Sequence, residues 1–332
     1  MADLDAPRPY RAEEMAVVVP TKDRPEKLRN LLNSLANQDT QIGRVIIVDG
    51  SESAEPVVRN FEGTLGVEYY RCRPPGQLPQ RDFGLSQLGE SERLVALLDD
   101  DIVLEPGTLH QMLEMWNRVE PRTAGICFNI VNGEAESFSW PRYLFGLTTR
   151  EPGRVLRSGM TTSNTHAVQD YRAQWLPGGA TVWRRELLTQ RMHEVIPCRW
   201  AIAEDLIFSY PIGKVRPLYV CASAKVRHEH EFDYGASRPH RYHGRTQTLW
   251  LFYFVKSNPD LSELLCLWTV GLRAGGHIFR SLVSGETRHF QFASGQVAAA
   301  AAMLRQRLFS RPFVDLLHEP VASDPDPTKA KL

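Results

Sequence analysis

The amino-acid sequence predicts an α/β fold, in which a mostly parallel sheet is flanked by helices and followed by a C-terminal helical extension. Short β-branched runs alternate with segments of helical periodicity from about residue 12 to about residue 130. The alternation then gives way to an irregular stretch, and the chain beyond about residue 241 is mainly helical. Strands that alternate with helices at short spacing are typical of a parallel sheet covered on both faces.

The elements of the first half follow from local patterns. Residues 15–19 form an apolar, β-branched run closed by Pro20, which predicts a buried strand. Pro25 suits the first turn of a helix, and leucines recur behind it at helical spacing. The same criteria predict strands at residues 44–49, 67–72, 94–98 and 124–130, and helices at 77–88 and from Pro106.

The second half is less regular. Residues 131–174 are rich in Ser, Thr, Arg and Gly, and we expect irregular or hairpin structure of a lid-like kind. A strand is expected at residues 175–180, entering a Gly-Gly turn. Further strands are predicted at 215–222 and 225–230, and helices at 204–210, 244–256, 261–283 and 292–308. We divide the chain into a domain at 1–240 (halves at about 12–130 and 131–240), a helical region at 241–320 and a disordered tail at 321–332.

The composition excludes some classes of protein. Lys and Arg total 39, as do Asp and Glu, and this balance argues against a dedicated nucleic-acid binder. Residues 1–11 lack the apolar stretch of a signal peptide, and no run of about 18 apolar residues predicts a transmembrane helix. The five cysteines are dispersed without a CxxC pair, as expected in a reducing compartment. We therefore expect a cytoplasmic protein.

Polar residues follow three predicted strands at their carboxyl ends, where open α/β sheets bind ligands. Thr21 comes after Pro20 at the first, Asp49 ends the second, and Asp99-Asp100-Asp101 follow the fourth. Three consecutive carboxylates repel one another, and a divalent cation that prefers oxygen ligands, Mn²⁺ or Mg²⁺, would relieve the repulsion. The alternative is a solvated acidic turn or a helix cap ahead of Pro106.

Two further groups of residues could join such a site. Glu204 and Asp205 begin a predicted helix, where they are either a general base with its neighbour or a plain cap. His228 and His230 share one face of a strand, and either could complete a metal site begun by Asp101, unless both are simply exposed to solvent.

Glycine and basic residues give weaker signals. Gly178-Gly179 is either a hairpin turn or a point of close approach to a ligand. Lys22 and Arg81 could each neutralise a phosphate, but single basic residues are usually surface charges.

The motifs taken together resemble glycosyltransferase family 2, a large family of inverting transferases with the Rossmann-like GT-A fold. The resemblance extends from about Met15 to about Lys256. The segments that carry it are VVVPTKDRPEKL, VIIVDGS, GQLPQRDFGL, LLDDDIVLEP, WLPGGATVWRRE, AEDLIFSYPIGKVRPLYV and KVRHEH. LLDDDIVLEP corresponds to the DXD motif of the family.

The resemblance implies a site for a nucleotide-sugar donor. Its residues would be Pro20, Thr21, Asp23, Arg24, Asp49, Arg81, Asp99 and Asp100. Asp49 would bind the nucleobase, while Asp99 and Asp100 would face the ribose and the diphosphate. This chain departs from the family pattern at Asp82, in place of the usual asparagine, and at Asp23, where other polar residues are common.

The resemblance also implies the residues that perform the reaction. Asp101 would bind the metal directly, with His228 as the second ligand and His230 as its alternative. Asp205 would be the catalytic base, with Glu204 beside it. On the acceptor side the implied residues are Trp175, Gly178 and Gly179.

The expected reaction is inverting transfer of a sugar, from a UDP- or dTDP-sugar, to a hydroxyl of a saccharide or lipid-linked acceptor in polysaccharide biosynthesis. The apolar and basic C-terminal helices could rest on the inner face of a membrane, or else pack internally or in a homo-oligomer. One alternative is a sugar nucleotidyltransferase, which would usually show a Gly-rich loop after the first strand. The other is a non-catalytic GT-A sugar-binding module, which would be expected to lack Asp101 or Asp205.

Overall fold

The structure is a computed structural model that describes residues 8–133, 138–188, 202–229 and 239–309. The chain divides into two compact units. The first contains the sheet and, among the described residues, comprises 8–133, Pro152–Arg154 and 163–229. The second comprises Phe138–Glu151, Val155–Thr162 and the C-terminal helices. The predicted His230 and the predicted tail at 321–332 lie outside the described residues.

The first unit is built on a mixed sheet with the order β3-β2-β1-β4-β8-β6-β9-β5, and β7 pairs with β9. The strands are β1 Met15–Thr21, β2 Arg44–Asp49, β3 Val67–Arg71, β4 Leu94–Leu98, β5 Ile102–Leu104, β6 Gly125–Ile130, β7 Tyr171–Ala173, β8 Ala180–Arg184 and β9 Leu218–His228. The pairs β1–β2, β2–β3, β1–β4 and β6–β9 are parallel, whereas β8 runs antiparallel to β4 and β6.

Ten α-helices lie within the described residues. They are α1 Pro25–Ala36, α2 Glu55–Arg59, α3 Gln77–Ser86, α4 Thr108–Arg118, α5 Trp140–Leu144, α6 Arg185–Leu188, α7 Glu204–Val215, α8 His240–Lys256, α9 Glu263–Ser284 and α10 Thr287–Phe309. A short 3₁₀ helix, Ala12–Glu14, precedes β1.

The core lies on both faces of the sheet. Every residue of β1 is buried. Val17 and Val19 pack into the cluster that contains the leucines of α1, whereas Val18 packs into the opposite cluster. Successive strand side chains point to opposite faces, so a continuous apolar strand needs cover on both sides. The predicted α/β class with helices on both faces and a helical C-terminal part is thus confirmed.

Several predicted element boundaries were wrong. Residues 175–177 have no regular structure instead of forming a strand, whereas the predicted turn at Gly178 and Gly179 is present, and β8 begins only at Ala180. The two strands predicted at 215–222 and 225–230 are one continuous strand, β9. It begins at Leu218 because α7 continues past Pro211 to Val215. The short β5 was not predicted, since its three residues follow the aspartates without a break. In the stretch predicted to be irregular, α5 and β7 are regular.

The second unit contains the C-terminal helices. Helices α8 and α10 approach closely at Gly244 and Gly295, where an added Cβ would lie 2.1 Å from the carbonyl oxygen of Phe292 and 2.0 Å from that of Arg241, respectively. Any larger residue would push these backbones apart. Among the described helices, α9 and α10 included, none combines the length and hydrophobicity needed to cross a bilayer.

Candidate active site

Two aspartates and a histidine converge where β4 and β9 end. Asp99, Asp101 and His228 offer ligand atoms that all lie within 4.8 Å of one another. The His228 Nε2 atom is 3.0 Å from Asp101 Oδ1. Burial would lower the pKa of His228, but its hydrogen bond to Asp101 and the charge of that carboxylate outweigh burial and raise it. Two carboxylates and an imidazole form a donor set that suits a divalent cation such as Mn²⁺.

The backbone around this cluster is fixed by residues that the sequence did not single out. The Glu229 N–H donates to the Asp101 carbonyl at 2.8 Å. The Asn132 side chain accepts from the His228 N–H at 2.8 Å and donates to the His228 carbonyl at 3.0 Å. Asn132 lies 96 positions from His228 in the chain, so no local sequence pattern predicts these two hydrogen bonds.

Asp100 points to the end of β1 instead. Its carboxylate accepts from Thr21 Oγ1 at 2.8 Å and from Arg24 Nη1 at 3.2 Å. Arg24 Nη1 also lies 3.4 Å from Asp101 Oδ2. Burial raises the pKa of Asp100 to about 6. The structure therefore brings together three of the residues predicted for the donor site.

Arg81 is buried at the centre of the site. Its side chain is 1% exposed and lies 2.7 Å from Asp99 Oδ1 and 2.5 Å from Glu204 Oε1. The predicted phosphate-neutralising residue is thus an internal bridge between two carboxylates. Gln80, which precedes it in α3, donates from Nε2 to the carbonyls of Thr21 and Val48, both at 2.8 Å, and so holds the ends of β1 and β2.

Glu204 and Asp205 begin α7, as the sequence predicts. The preceding residue, Ala203, has a φ of 76°, which turns the chain sharply into the helix. Asp205 Oδ1 accepts from the Leu206 N–H at 2.8 Å. Burial raises the pKa of Glu204 to about 7 and also raises the pKa of Asp205, in each case against the attraction of Arg81.

The glycine pair Gly178-Gly179 lies against the side chains of Asp99 and Arg81. The Gly179 carbonyl accepts from the Asp99 N–H at 2.9 Å. A Cβ at Gly179 would lie 2.0 Å from Asp99 Oδ2, and one at Gly178 would lie 3.1 Å from Arg81 Nη1. The close approach explains the two glycines. Trp175 is half-buried, and its carbonyl accepts from Asn164 Nδ2 at 2.9 Å.

Asp49 is fully buried at the end of β2, and its carboxylate is bound by the loop that follows it and by Tyr69 of β3. Its carboxylate accepts from Ser51 N–H at 2.7 Å, Ser51 Oγ at 2.6 Å, Ala54 N–H at 3.1 Å and Tyr69 Oη at 3.1 Å. Pro20 lies within the neighbouring β1, and Asp23 is exposed, with a φ of 57°. These residues share the carboxyl edge of the sheet with Asp100.

The fold and the acidic edge define a GT-A glycosyltransferase, and a family profile agrees. The profile described as Glycosyl transferase family 2 matches residues 16–189. The chain belongs to this family and is a glycosyltransferase. A comparison with proteins of curated function gives no significant sequence match.

Solved structures of glycosyltransferases resemble this chain. Residues 1–349 of S. aureus TarS align with a TM-score of 0.51 at 14% identity, over 89% of this chain and 91% of that one. The mannosyltransferase PcManGT from Pyrobaculum calidifontis aligns with a TM-score of 0.52 at 14% identity, over 93% of this chain and 84% of that one. At such identities the likeness shows the fold.

Proposed function

We propose that this glycosyltransferase moves a sugar from a nucleotide-diphospho-sugar to an acceptor hydroxyl with inversion of configuration. The observation that supports this most directly is the linkage of two functional groups at one edge of the sheet. Asp99 belongs to the candidate metal cluster, Glu204 belongs to the candidate base pair, and Arg81 contacts both. In a metal-assisted inverting transfer the metal would act on the leaving diphosphate and the base on the attacking hydroxyl, so both groups must lie close to one anomeric carbon.

The metal cluster supports a role for Mn²⁺ or Mg²⁺. Asp101 and His228 would hold the ion, and Asp99 lies close enough to take part. When bound, a divalent cation neutralises charge on the departing diphosphate. His228 must be neutral to bind a metal, and the contact with Asp101 fixes its Nε2 atom in the cluster.

Asp205 is the proposed general base. It would take the proton of the acceptor hydroxyl as that oxygen attacks the anomeric carbon and the bond to the diphosphate breaks. A base is most effective when its pKa is near the working pH. Burial raises the pKa of Asp205 and so brings it closer to that pH. Glu204 holds Arg81 beside it.

The donor would bind along the carboxyl edge of the sheet. Its proposed residues are Pro20, Thr21, Asp23, Arg24, Asp49, Arg81, Asp99 and Asp100. The carboxylate of Asp49 already accepts hydrogen bonds from Ser51, Ala54 and Tyr69. A nucleobase could therefore donate only to an oxygen lone pair that these three residues do not use. PcManGT was solved with GDP-Man and Mn²⁺, and TarS 1–349 with UDP, which supports a nucleoside diphosphate sugar as the donor class. We favour a UDP- or dTDP-sugar.

The acceptor would approach along Trp175, Gly178 and Gly179, and we propose a saccharide or lipid-linked acceptor in polysaccharide biosynthesis. Exposed apolar side chains on α9, such as Phe279 and Leu282, support contact of the second unit with a membrane. We accordingly propose a cytoplasmic enzyme at the inner face of the membrane. A homo-oligomer that covers the same side chains is the competing proposal.

The test is nucleotide-sugar hydrolysis without acceptor. The purified protein is incubated with UDP-, GDP- and dTDP-sugars, with Mn²⁺, Mg²⁺ or a chelator, and nucleoside diphosphate release is measured. We expect metal-dependent release from one donor, its loss in Asp101→Ala, and no change in Asp39→Ala, an exposed aspartate outside the site.

Other results would contradict the proposal. Absence of both hydrolysis and metal-dependent nucleotide binding across the panel would favour a non-catalytic sugar-binding module. Formation of a nucleotide-sugar from a nucleoside triphosphate and a sugar phosphate, with release of pyrophosphate, would favour a nucleotidyltransferase.

A further inference from the structure

His228 stands at the end of β9, and its main chain is connected to the acidic turn. The strand runs from Leu218 to His228, and the imidazole belongs to the candidate metal cluster. On the side of β5, His228 lies opposite Ile102. The next residue, Glu229, donates its N–H to the carbonyl of Asp101 at 2.8 Å. The main chain beside the histidine is therefore tied to the residue that supplies a carboxylate to the same cluster.

A side chain holds the main chain of His228 from β6, on the other side of β9. The parallel pairing of β6 with β9 extends to Ile130 and Val226. Two residues further along both strands, Asn132 Oδ1 accepts from the His228 N–H at 2.8 Å, and Asn132 Nδ2 donates to the His228 carbonyl at 3.0 Å. One amide group thus supplies both the acceptor and the donor that a neighbouring strand would supply.

Asn132 is itself held by contacts that do not involve His228. The N–H of Val131 donates to the carbonyl of Val226 at 3.0 Å. On the other side of Asn132, the Gly133 carbonyl accepts from His166 Nε2 at 2.6 Å. The asparagine is therefore fixed to the sheet before it and to the 163–173 segment after it, and its amide is set in place independently of the histidine.

We propose that Asn132 is a positioning residue of the metal site, which fixes the main chain of His228 and so sets the affinity for Mn²⁺. The imidazole is joined to that main chain through a single Cβ, so any rotation of the main chain moves Nε2 away from Asp101 Oδ1, now 3.0 Å distant. Groups that hold a ligand in place commonly change metal affinity by 10- to 100-fold, as an order of magnitude. The inference rests on the proposed metal site and assigns Asn132 no contact with the ion.

The experiment measures Mn²⁺ binding by the full chain with electron paramagnetic resonance, which counts the free ion and so reaches weak affinities. We expect Asn132→Ala to bind Mn²⁺ about tenfold more weakly than the wild type. The matched control Asn60→Ala, at an exposed asparagine after α2, should change the affinity by less than about twofold. In a His228→Ala background, Asn132→Ala should add less than about twofold, because the amide acts through the histidine.

Two measurements on the metal-free proteins separate positioning from stability. Asn132 is exposed, so the loss of its two hydrogen bonds should lower the melting temperature by no more than about 2–4 °C. Hydrogen exchange of the His228 amide should nevertheless become faster in Asn132→Ala, since its acceptor is gone.

Wild-type Mn²⁺ affinity in Asn132→Ala would overturn the proposal, and so would an unchanged exchange rate of the His228 amide. Equal losses of affinity from Asn132→Ala in the wild-type and His228→Ala backgrounds would also overturn it, because the amide would then act elsewhere. A wild-type protein that binds no Mn²⁺ would instead refute the metal site itself, and this inference with it.

Discussion

The Arg81 guanidinium contacts the Glu204 carboxylate across 2.5 Å, although the two residues are 123 positions apart in the chain. The other side of the guanidinium contacts Asp99 at 2.7 Å. Helix α3 thereby connects the acidic turn after β4 to the start of α7. The single cation Arg81 interacts with three carboxylates, because its charge also acts to lower the pKa of Asp205. Burial, together with the charges of Asp205 and Asp99, raises the pKa of Glu204. A divalent cation bound nearby would reduce the repulsion among these carboxylates.

Removal of the Arg81 charge should destabilise the fold. In Arg81→Gln, two carboxylates lose their buried partner, and we expect a loss of about 3–5 kcal/mol in the free energy of unfolding. Urea denaturation measures it. Arg59→Gln, which breaks an exposed pair with Glu55, is the control and should change little. A wild-type free energy of unfolding in Arg81→Gln would show that the bridge does not stabilise the fold.

Gly179→Ala should impair the site through a steric clash. The new Cβ would fall 2.0 Å from Asp99 Oδ2, so Asp99 must leave its contact with Arg81. We expect a loss of about 1–3 kcal/mol in stability and weaker Mn²⁺ binding in calorimetry. Gly63→Ala, where an added Cβ meets nothing within 4 Å, is the matched control. Unchanged Mn²⁺ affinity in Gly179→Ala would count against Asp99 as part of the metal cluster.

The stability of the metal-free protein should depend on pH through Glu204. Burial raises its pKa from 4.5 to about 7, so the folded state holds this proton more tightly than the unfolded state. The resulting stabilisation is present below pH 4.5 and is lost as the pH rises through about 7. Relative to Glu204→Gln, the wild type should therefore lose on the order of 1–3 kcal/mol over that range.

Denaturation of both proteins at a series of pH values provides the check. Glu62→Gln, at an exposed position, is the matched control. A difference between wild type and Glu204→Gln that is constant with pH, or that grows in favour of the wild type at high pH, would contradict the raised pKa.

Local sequence patterns were sufficient to predict the first half of the sheet. In β1, β2 and β4, short apolar runs are buried on both faces of the sheet. A strand that is apolar on both faces needs cover on both sides, which a parallel sheet flanked by helices provides. The rule that ligands bind at the carboxyl ends of strands then placed Thr21, Asp49 and the three aspartates at one edge. The structure confirms this edge as a feature of the fold.

Other features depend on contacts that the local sequence does not encode. The long β9 pairs with β5, β6 and β7, and these pairings decide its length more than its own composition does. The sequence pattern of Arg81 is that of a surface cation, and only the position of α7 makes it a buried bridge. Similarly, donors from Ser51, Ala54 and Tyr69 engage Asp49, and no spacing rule predicts that set.

The base assignment predicts a specific kinetic result for Asp205→Asn. Since the proton transfer occurs in the transition state, kcat should fall by about 10²- to 10⁴-fold, while the donor KM stays close to that of the wild type. Mn²⁺ affinity should persist, because Asp205 is outside the cluster of Asp99, Asp101 and His228. The wild-type rate should rise with pH as the base loses its proton, and this limb should disappear in the variant. Steady-state kinetics over a pH series measures both effects, with Glu204→Gln as the comparison. If Asp205→Asn keeps most of its turnover while Glu204→Gln loses the alkaline rise, the base is Glu204 and Asp205 only caps α7.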